Sequence, residues 1–165
     1  MTQIRDLPQG GQASAAWAKP PRTRTERRAQ VLQRLHSDDK LWIATASTDA
    51  SAHLVPFSFA WDGQRVIMAT RHDSPAARNA ARTGKARLAL GDFGDVVLID
   101  GSVSVVTPDQ VDSSVADQLA RASAIDGRRA PGFVYLQLVP SRIRAWWSSA
   151  ELANPTVMRD GQWLS

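Results

Sequence analysis

Apolar and polar positions alternate in short runs over the middle of the chain, and the runs predict strands. They read Leu41 to Ser47, His53 to Trp61, Arg65 to Thr70, Lys85 to Leu90, Val96 to Val106, and Phe133 to Val139, the last continuing past Pro140 to Trp147. In the second run Val55, Phe57, Phe59 and Trp61 share a face, because side chains alternate along a strand. Pro56 inside it lacks an N–H for the ladder and points to an edge, a bulge or a barrel rim. Asp49-Ala-Ser-Ala52 and Asp92-Phe-Gly-Asp95 read as turns, and Asp62-Gly63 as a hairpin. Gly101 lies where a long strand would bend.

Three stretches change to the helical period. Thr23-Arg-Thr-Glu26 fits a capping box, and Val31, Leu32 and Leu35 give a narrow stripe, so a helix is predicted over Arg24 to His36, stopped by Asp38-Asp39. Ser74-Pro75 reads as N-cap and first helical residue, with Gly84 as the stop. Thr107-Pro108 opens a third helix, with Val111, Val115, Leu119 and Ala122 on one face and Gly127 as its end. The tail, ending Met158-Arg-Asp-Gly-Gln-Trp163, reads as loop.

About six strands in hairpin succession predict a largely antiparallel sheet, and closing it removes its edges. The expected fold is mostly β (α+β): a six-stranded, largely antiparallel small barrel with short flanking helices. No internal repeat and no sustained strand–helix–strand alternation competes with this reading. Residues 1–22, with Gly10-Gly11 and Pro20-Pro21, read as a flexible arm, and 23–165 as one domain.

Composition narrows the function classes. A chain of 165 residues buries roughly 70% of its unfolded surface. It has no cysteine, so disulfides, thiolate metal sites and a cysteine nucleophile are excluded. No long apolar run suggests a signal peptide or a membrane span, so a cytoplasmic protein is expected. The net charge of +4 is uneven: residues 1–36 carry seven Lys/Arg against Asp6 and Glu26. That segment reads as a solvated helix face, or as a nucleic-acid contact lacking the aromatic stripe such contacts use.

No nucleophile elbow, paired-histidine metal spacing, P-loop or dinucleotide fingerprint is present. His36, His53 and His72 are scattered, and no two aspartates form an evident catalytic pair. An enzyme with this sequence would take its chemistry from a cofactor.

One place is suited to hold a phosphate. The strand ending Ala69-Thr70 runs through Arg71 into the helix start at Ser74. Free backbone N–H groups and the positive end of the dipole gather there. Thr70 and Ser74 offer hydroxyls, Arg71 and Arg78 offer guanidinium groups, and Arg78 lies one turn from Ser74. The plainer alternative is a helix start whose arginines face water. Trp146-Trp147 places one ring on each face of a strand, for packing, for an interface or for the wall of a ligand pocket.

The order of these pieces resembles the pyridoxamine 5′-phosphate oxidase-like, split β-barrel flavin-binding family. The resemblance rests on Ala44-Thr-Ala-Ser47, His53-Leu-Val-Pro56 with Phe57-Ser-Phe59, Asp62-Gly63, Ala69-Thr70, Ser74 with Arg78-Asn79, and Val97-Leu-Ile-Asp-Gly101. It implies a homodimer with flavin sites between subunits, holding FMN or the 8-hydroxy-5-deazaflavin coenzyme F-420. It further implies that His53, Val55, Pro56, Phe57 and Ser58 lie along the flavin ring and ribityl chain. Ala69 and Thr70 would meet the ring edge or phosphate; Arg71, Ser74, Arg78 and Asn79 would complete the cofactor site, and Trp146 or Trp147 would wall a small-molecule substrate pocket. The vitamin-B6 oxidase carries an arginine near His53, a lysine near Ser58 and an Arg-Lys pair near Pro75-Ala76. None of these is present. Nor is its C-terminal substrate segment recognisable. The implied activity is therefore hydride transfer with another small substrate, or flavin carriage or sensing without turnover.

Overall fold

The computed structural model describes residues 19–165. Its nine strands are β1 (Lys40–Ala46), β2 (Ala52–Ser58), β3 (Ala60–Trp61), β4 (Val66–Arg71), β5 (Lys85–Asp92), β6 (Asp95–Val106), β7 (Phe133–Trp146), β8 (Thr156–Arg159) and β9 (Gln162–Trp163). The helices are α1 (Arg24–Ser37), α2 (Pro75–Thr83) and α3 (Ser113–Ser123). One sheet runs in the order β2-β1-β5-β6-β7-β4-β3, with β8 joined to β7 and β9 to β8. Every pairing is antiparallel.

The connectivity explains the curl. β2 is one edge of the ordered path and β3 the other, yet only Phe59 separates them in the chain. The two edges must therefore lie side by side, and β2 also approaches β4. Phe59 is fully buried at this closure. The predicted second strand is thus two strands on opposite sides of the split. Pro56 lies on the edge strand, opposite Trp42, where its missing N–H costs no ladder bond.

The bend at Gly101 is real. The β6–β7 register shifts between Asp100 and Gly101, and a Cβ at Gly101 would stand 2.3 Å from the Val139 carbonyl oxygen. Ile43, Leu88, Ile99, Leu136, Leu138 and Ile143 fill the barrel. α1 adds Val31 and Leu35, and the small face of α2, Ala76, Ala77 and Ala80, allows close approach to the sheet. α3 covers a second cluster with Ala116 and Leu119 on Ala60, Ile67 and Tyr135.

Two expectations change. The tail is not loop: Asp160 and Gly161, both at positive φ, turn the β8–β9 hairpin, and Val157 and Met158 are core residues. Thr107 caps only the short 3₁₀ turn Pro108–Gln110; Asp112 caps α3, which ends at Ala124 in the left-handed region rather than at Gly127. Of the strand tryptophans, Trp42 faces outward, about half exposed, and Trp61 is buried.

Of the arm expected over 1–22, residues 1–18 lie outside the described structure. Residues 19–22 are fastened to the domain. The Arg22 guanidinium and backbone N–H donate to the buried Glu151 carboxylate, at 2.8 Å and 2.6 Å respectively. Arg27 in turn donates to the Arg22 and Asn154 carbonyls.

Candidate functional site

The capping chemistry read at Ser74 is present in full. Ser74 is extended, its hydroxyl accepts the Ala77 N–H at 3.1 Å, and Pro75 opens α2. Gly84 closes the helix in the left-handed region. Thr70 at the end of β4 donates to the Ser74 hydroxyl at 3.2 Å. Ser74 is thus an acceptor twice over, and its own proton is free for a ligand. As the second helical residue, Ala76 carries an N–H with no intrahelical partner.

The two arginines are arranged by a residue that motif reading passed over. Asp73 takes both Arg71 Nε and a terminal Arg71 nitrogen at 3.0 Å, while its carbonyl accepts from Arg78. The Arg71 hydrogen bonds hold the Asp73 carboxyl below its ordinary value, and Asp73 raises the Arg71 guanidinium in return. All three residues are exposed. The structure therefore brings Thr70, Ser74 and Arg78 together at the helix start, with Arg71 beside them but paired. The donor set of hydroxyl, free N–H, guanidinium and helix dipole fits a phosphate, and the Asp73 carboxylate works against it.

The β2 residues form a second group. His53, Val55 and Phe57 occupy the half-buried face, with Val55 and Phe57 packed against the core; Pro56 faces outward. Ser58 donates to the Ala122 carbonyl at 3.3 Å, tying β2 to the end of α3. Ala69 packs against the second cluster. Asn79 joins the groups: buried in α2, it donates to the Thr45 hydroxyl at 3.1 Å, and Thr45 stands opposite His53.

The tryptophans separate. Trp146 is half-buried and pairs with Val96. The Trp147 ring lies under the Arg22 guanidinium at 4.0 Å with the Lys19 ammonium at 5.2 Å, and its indole N–H donates to the Pro20 carbonyl. The ring is thus engaged by the fastened N-terminal residues. Among the described residues no group of His, Asp or Glu could hold a metal, and no helix is long and apolar enough to cross a membrane.

Comparison with known proteins decides the family. The family model described as pyridoxamine 5′-phosphate oxidase matches residues 28–147, well over half the chain. The chain belongs to the pyridoxamine 5′-phosphate oxidase family. Among solved structures it is similar to general stress protein 26 of Bacillus anthracis (14% identity, TM-score 0.59, 72% of this chain and 92% of that one). It is similar too to the heme storage protein HutZ of Vibrio cholerae (14%, 0.62, 82% and 99%). An F420 reductase matches at 16% identity and TM-score 0.55 over 67% of this chain and 93% of that one. These identities carry the fold alone. No curated protein matches the chain. The fold is thus shared by proteins whose names point to redox chemistry, stress response and heme storage.

Proposed function

We propose that this member of the pyridoxamine 5′-phosphate oxidase family is a homodimeric, cytoplasmic oxidoreductase that binds FMN, with 8-hydroxy-5-deazaflavin as the alternative cofactor. The observation that carries the reading is the junction of β4 and α2. There Thr70 fixes Ser74, the Ser74 proton and Ala76 N–H stay available, and Arg78 is held at the same helix start. In this reading Ser74 and Arg78 hold the cofactor phosphate, the β2 backbone from Val55 to Ser58 orients the ring, and Phe57 and Val55 keep water from behind it. A bound flavin supplies the hydride chemistry that the side chains lack. The outward row of Leu54, Pro56 and Trp42 is exposed on the β2 edge and gives a second copy an apolar seat.

The test begins with the absorption spectrum of the purified protein and mass identification of any released cofactor. FMN titration should then saturate, and Arg78→Ala should weaken it about tenfold or more. An unchanged affinity removes the phosphate assignment. Saturable binding in a protein that never passes hydride to a substrate or acceptor replaces the enzyme with a flavin carrier. Sedimentation should give a dimer.

A further inference from the structure

The tip of the β5–β6 hairpin is held firmly and left bare. Phe93 is 93% exposed, the most exposed of the large apolar side chains among the described residues. Its turn is fixed on both sides. The Asp92 carboxylate accepts the Gly94 N–H at 2.7 Å. The Asp95 carboxylate accepts from Gln30 at 2.9 Å and from Arg22 at 3.3 Å, and the Asp95 carbonyl accepts from Arg34 at 3.2 Å. Gly91 is at positive φ, and a Cβ there would stand 1.9 Å from the Asp95 carbonyl oxygen. α1 thus braces a turn that presents an aromatic ring to water. A large, preorganised aromatic is the form a binding anchor takes.

An apolar strip on the outward face of the sheet leads to this tip. The register sets Pro56 opposite Trp42, Trp42 opposite Ala89 and Ala89 opposite Leu98, and directly opposed residues share a face. One row nearer the tip, Val96 stands opposite Trp146. The strip is continuous with the seat that Leu54, Pro56 and Trp42 offer a second copy, and it runs from the β2 edge to the hairpin tip. Toward α2 the same face turns charged, with Arg87 and Arg142 on either side of Asp100. A two-fold axis that packs the strip on itself either sets tip against tip or exchanges the strip's ends. Phe93 on Phe93 would wedge the two faces apart. With the ends exchanged, each Phe93 passes beyond the partner's β2, an edge strand flanked by β1 alone in the sheet, and the faces close.

We infer that Phe93 serves in trans: in the homodimer its ring covers the open face of the flavin held along the partner's β2. A substrate then reaches that face only by sliding beneath the phenyl ring, which selects flat, unsaturated molecules. The inference rests on the flavin reading, in which Val55 and Phe57 back one face of the ring and nothing in the same chain covers the other. Phe93 does not cover its own site, because β1 and two inter-strand gaps, about 10 Å, separate it from its own β2.

Mixed dimers test this. Co-expression with two affinity tags yields a dimer of one Phe93→Ala chain and one Arg78→Ala chain. The Phe93→Ala homodimer should bind FMN about fivefold more weakly than wild type through the lost ring contact, and the Arg78→Ala homodimer about tenfold. In the mixed dimer one site takes Arg78 from one chain and Phe93 from the other, so half the sites should regain wild-type affinity. Were Phe93 to serve its own chain, each site would carry one lesion and none would recover. Iodide should quench bound FMN more readily in the Phe93→Ala homodimer, and Phe93→Tyr should restore both protection and affinity. Phe93→Ala should remain a dimer with an unchanged melting temperature, since so exposed a side chain contributes little packing within its own chain. No recovered sites in the mixed dimer, unchanged iodide access, or a Phe93→Ala protein that turns monomeric overturns the inference and leaves the flavin reading standing. Wild type that takes up neither FMN nor the deazaflavin overturns both.

Discussion

Glu151→Ala should destabilise this protein by about 3 kcal/mol. The Glu151 side chain has no exposed surface and Arg22 only 7%. Four donors converge on its carboxylate: the Arg22 backbone N–H, Arg22 Nε, a terminal Arg22 nitrogen, and the Trp147 backbone N–H. Removing one partner of a buried pair costs roughly 3–5 kcal/mol, mostly because the other charge is left without compensation. Asp95, 3.3 Å from Arg22, offsets part of that and sets the lower end. A loss of about 3 kcal/mol lowers the melting temperature of a chain this size by roughly 6–12 °C. Urea unfolding followed by circular dichroism measures it. Arg22→Met/Glu151→Met removes both charges and should be less destabilised than Glu151→Ala, because no buried ion is orphaned. A single variant within 1 kcal/mol of wild type, or a double variant as weak as the sum of its singles, refutes the reasoning.

The same pair fixes a pH dependence. Burial pushes the Glu151 carboxyl up, but the hydrogen bonds from Arg22 and the Trp147 N–H outweigh it, and the folded pKa lies below the ordinary 4.5. A depressed carboxylate binds fewer protons folded than unfolded, so its contribution is complete above 4.5 and drains as the pH falls through the folded value. Wild type and Glu151→Ala should therefore differ most at neutral pH and converge in acid.

Gly101→Ala should cost about 2–3 kcal/mol in thermal unfolding, because its Cβ meets the Val139 carbonyl at 2.3 Å and neither strand can retreat without opening the ladder. Asn79→Ala should cost about 1–2 kcal/mol by stranding the buried Thr45 hydroxyl. Ser74→Ala should lose about 1 kcal/mol of helix capping and weaken FMN in the same variant; a loss of stability with unchanged FMN affinity separates the cap from the cradle.

The elements that were legible in the sequence carry their signal locally. The capping box at Thr23, the Ser-Pro start and Gly84 stop of α2, the Asp62-Gly63 turn and the Gly101 bend each depend on a few adjacent residues. The closure at Phe59 was hidden because its alternating pattern runs unbroken through a change of hydrogen-bonding partner, and periodicity reports faces, not neighbours. The β8–β9 hairpin was hidden by strands too short to show a period. The outward apolar strip was hidden for a different reason: Pro56, Trp42, Ala89 and Leu98 are neighbours only through register. At the cradle every side-chain donor was legible, but no motif marks Asp73 as their local competitor, because its pairing with Arg71 depends on the turn before α2.

That competitor shapes how a phosphate would be held. Asp73 sits between the two arginines in sequence and engages both, one by its carboxylate and one by its carbonyl. The two contacts are unlike. Arg78 meets a neutral carbonyl, so its charge is not cancelled, and the contact keeps the guanidinium at the helix start before any ligand arrives. Arg71 meets a carboxylate in an exposed pair, and such pairs contribute little once solvent screens them. A dianionic phosphate seated on Ser74 would offer Arg71 more charge at the same helix end and would repel Asp73. The expected sequence of effects follows: Arg78→Ala weakens FMN most, Arg71→Ala less, and Asp73→Asn strengthens binding by freeing Arg71 and removing a like charge. If Asp73→Asn instead weakens FMN, the carboxylate is itself part of the binding surface, and the phosphate does not lie at this helix start.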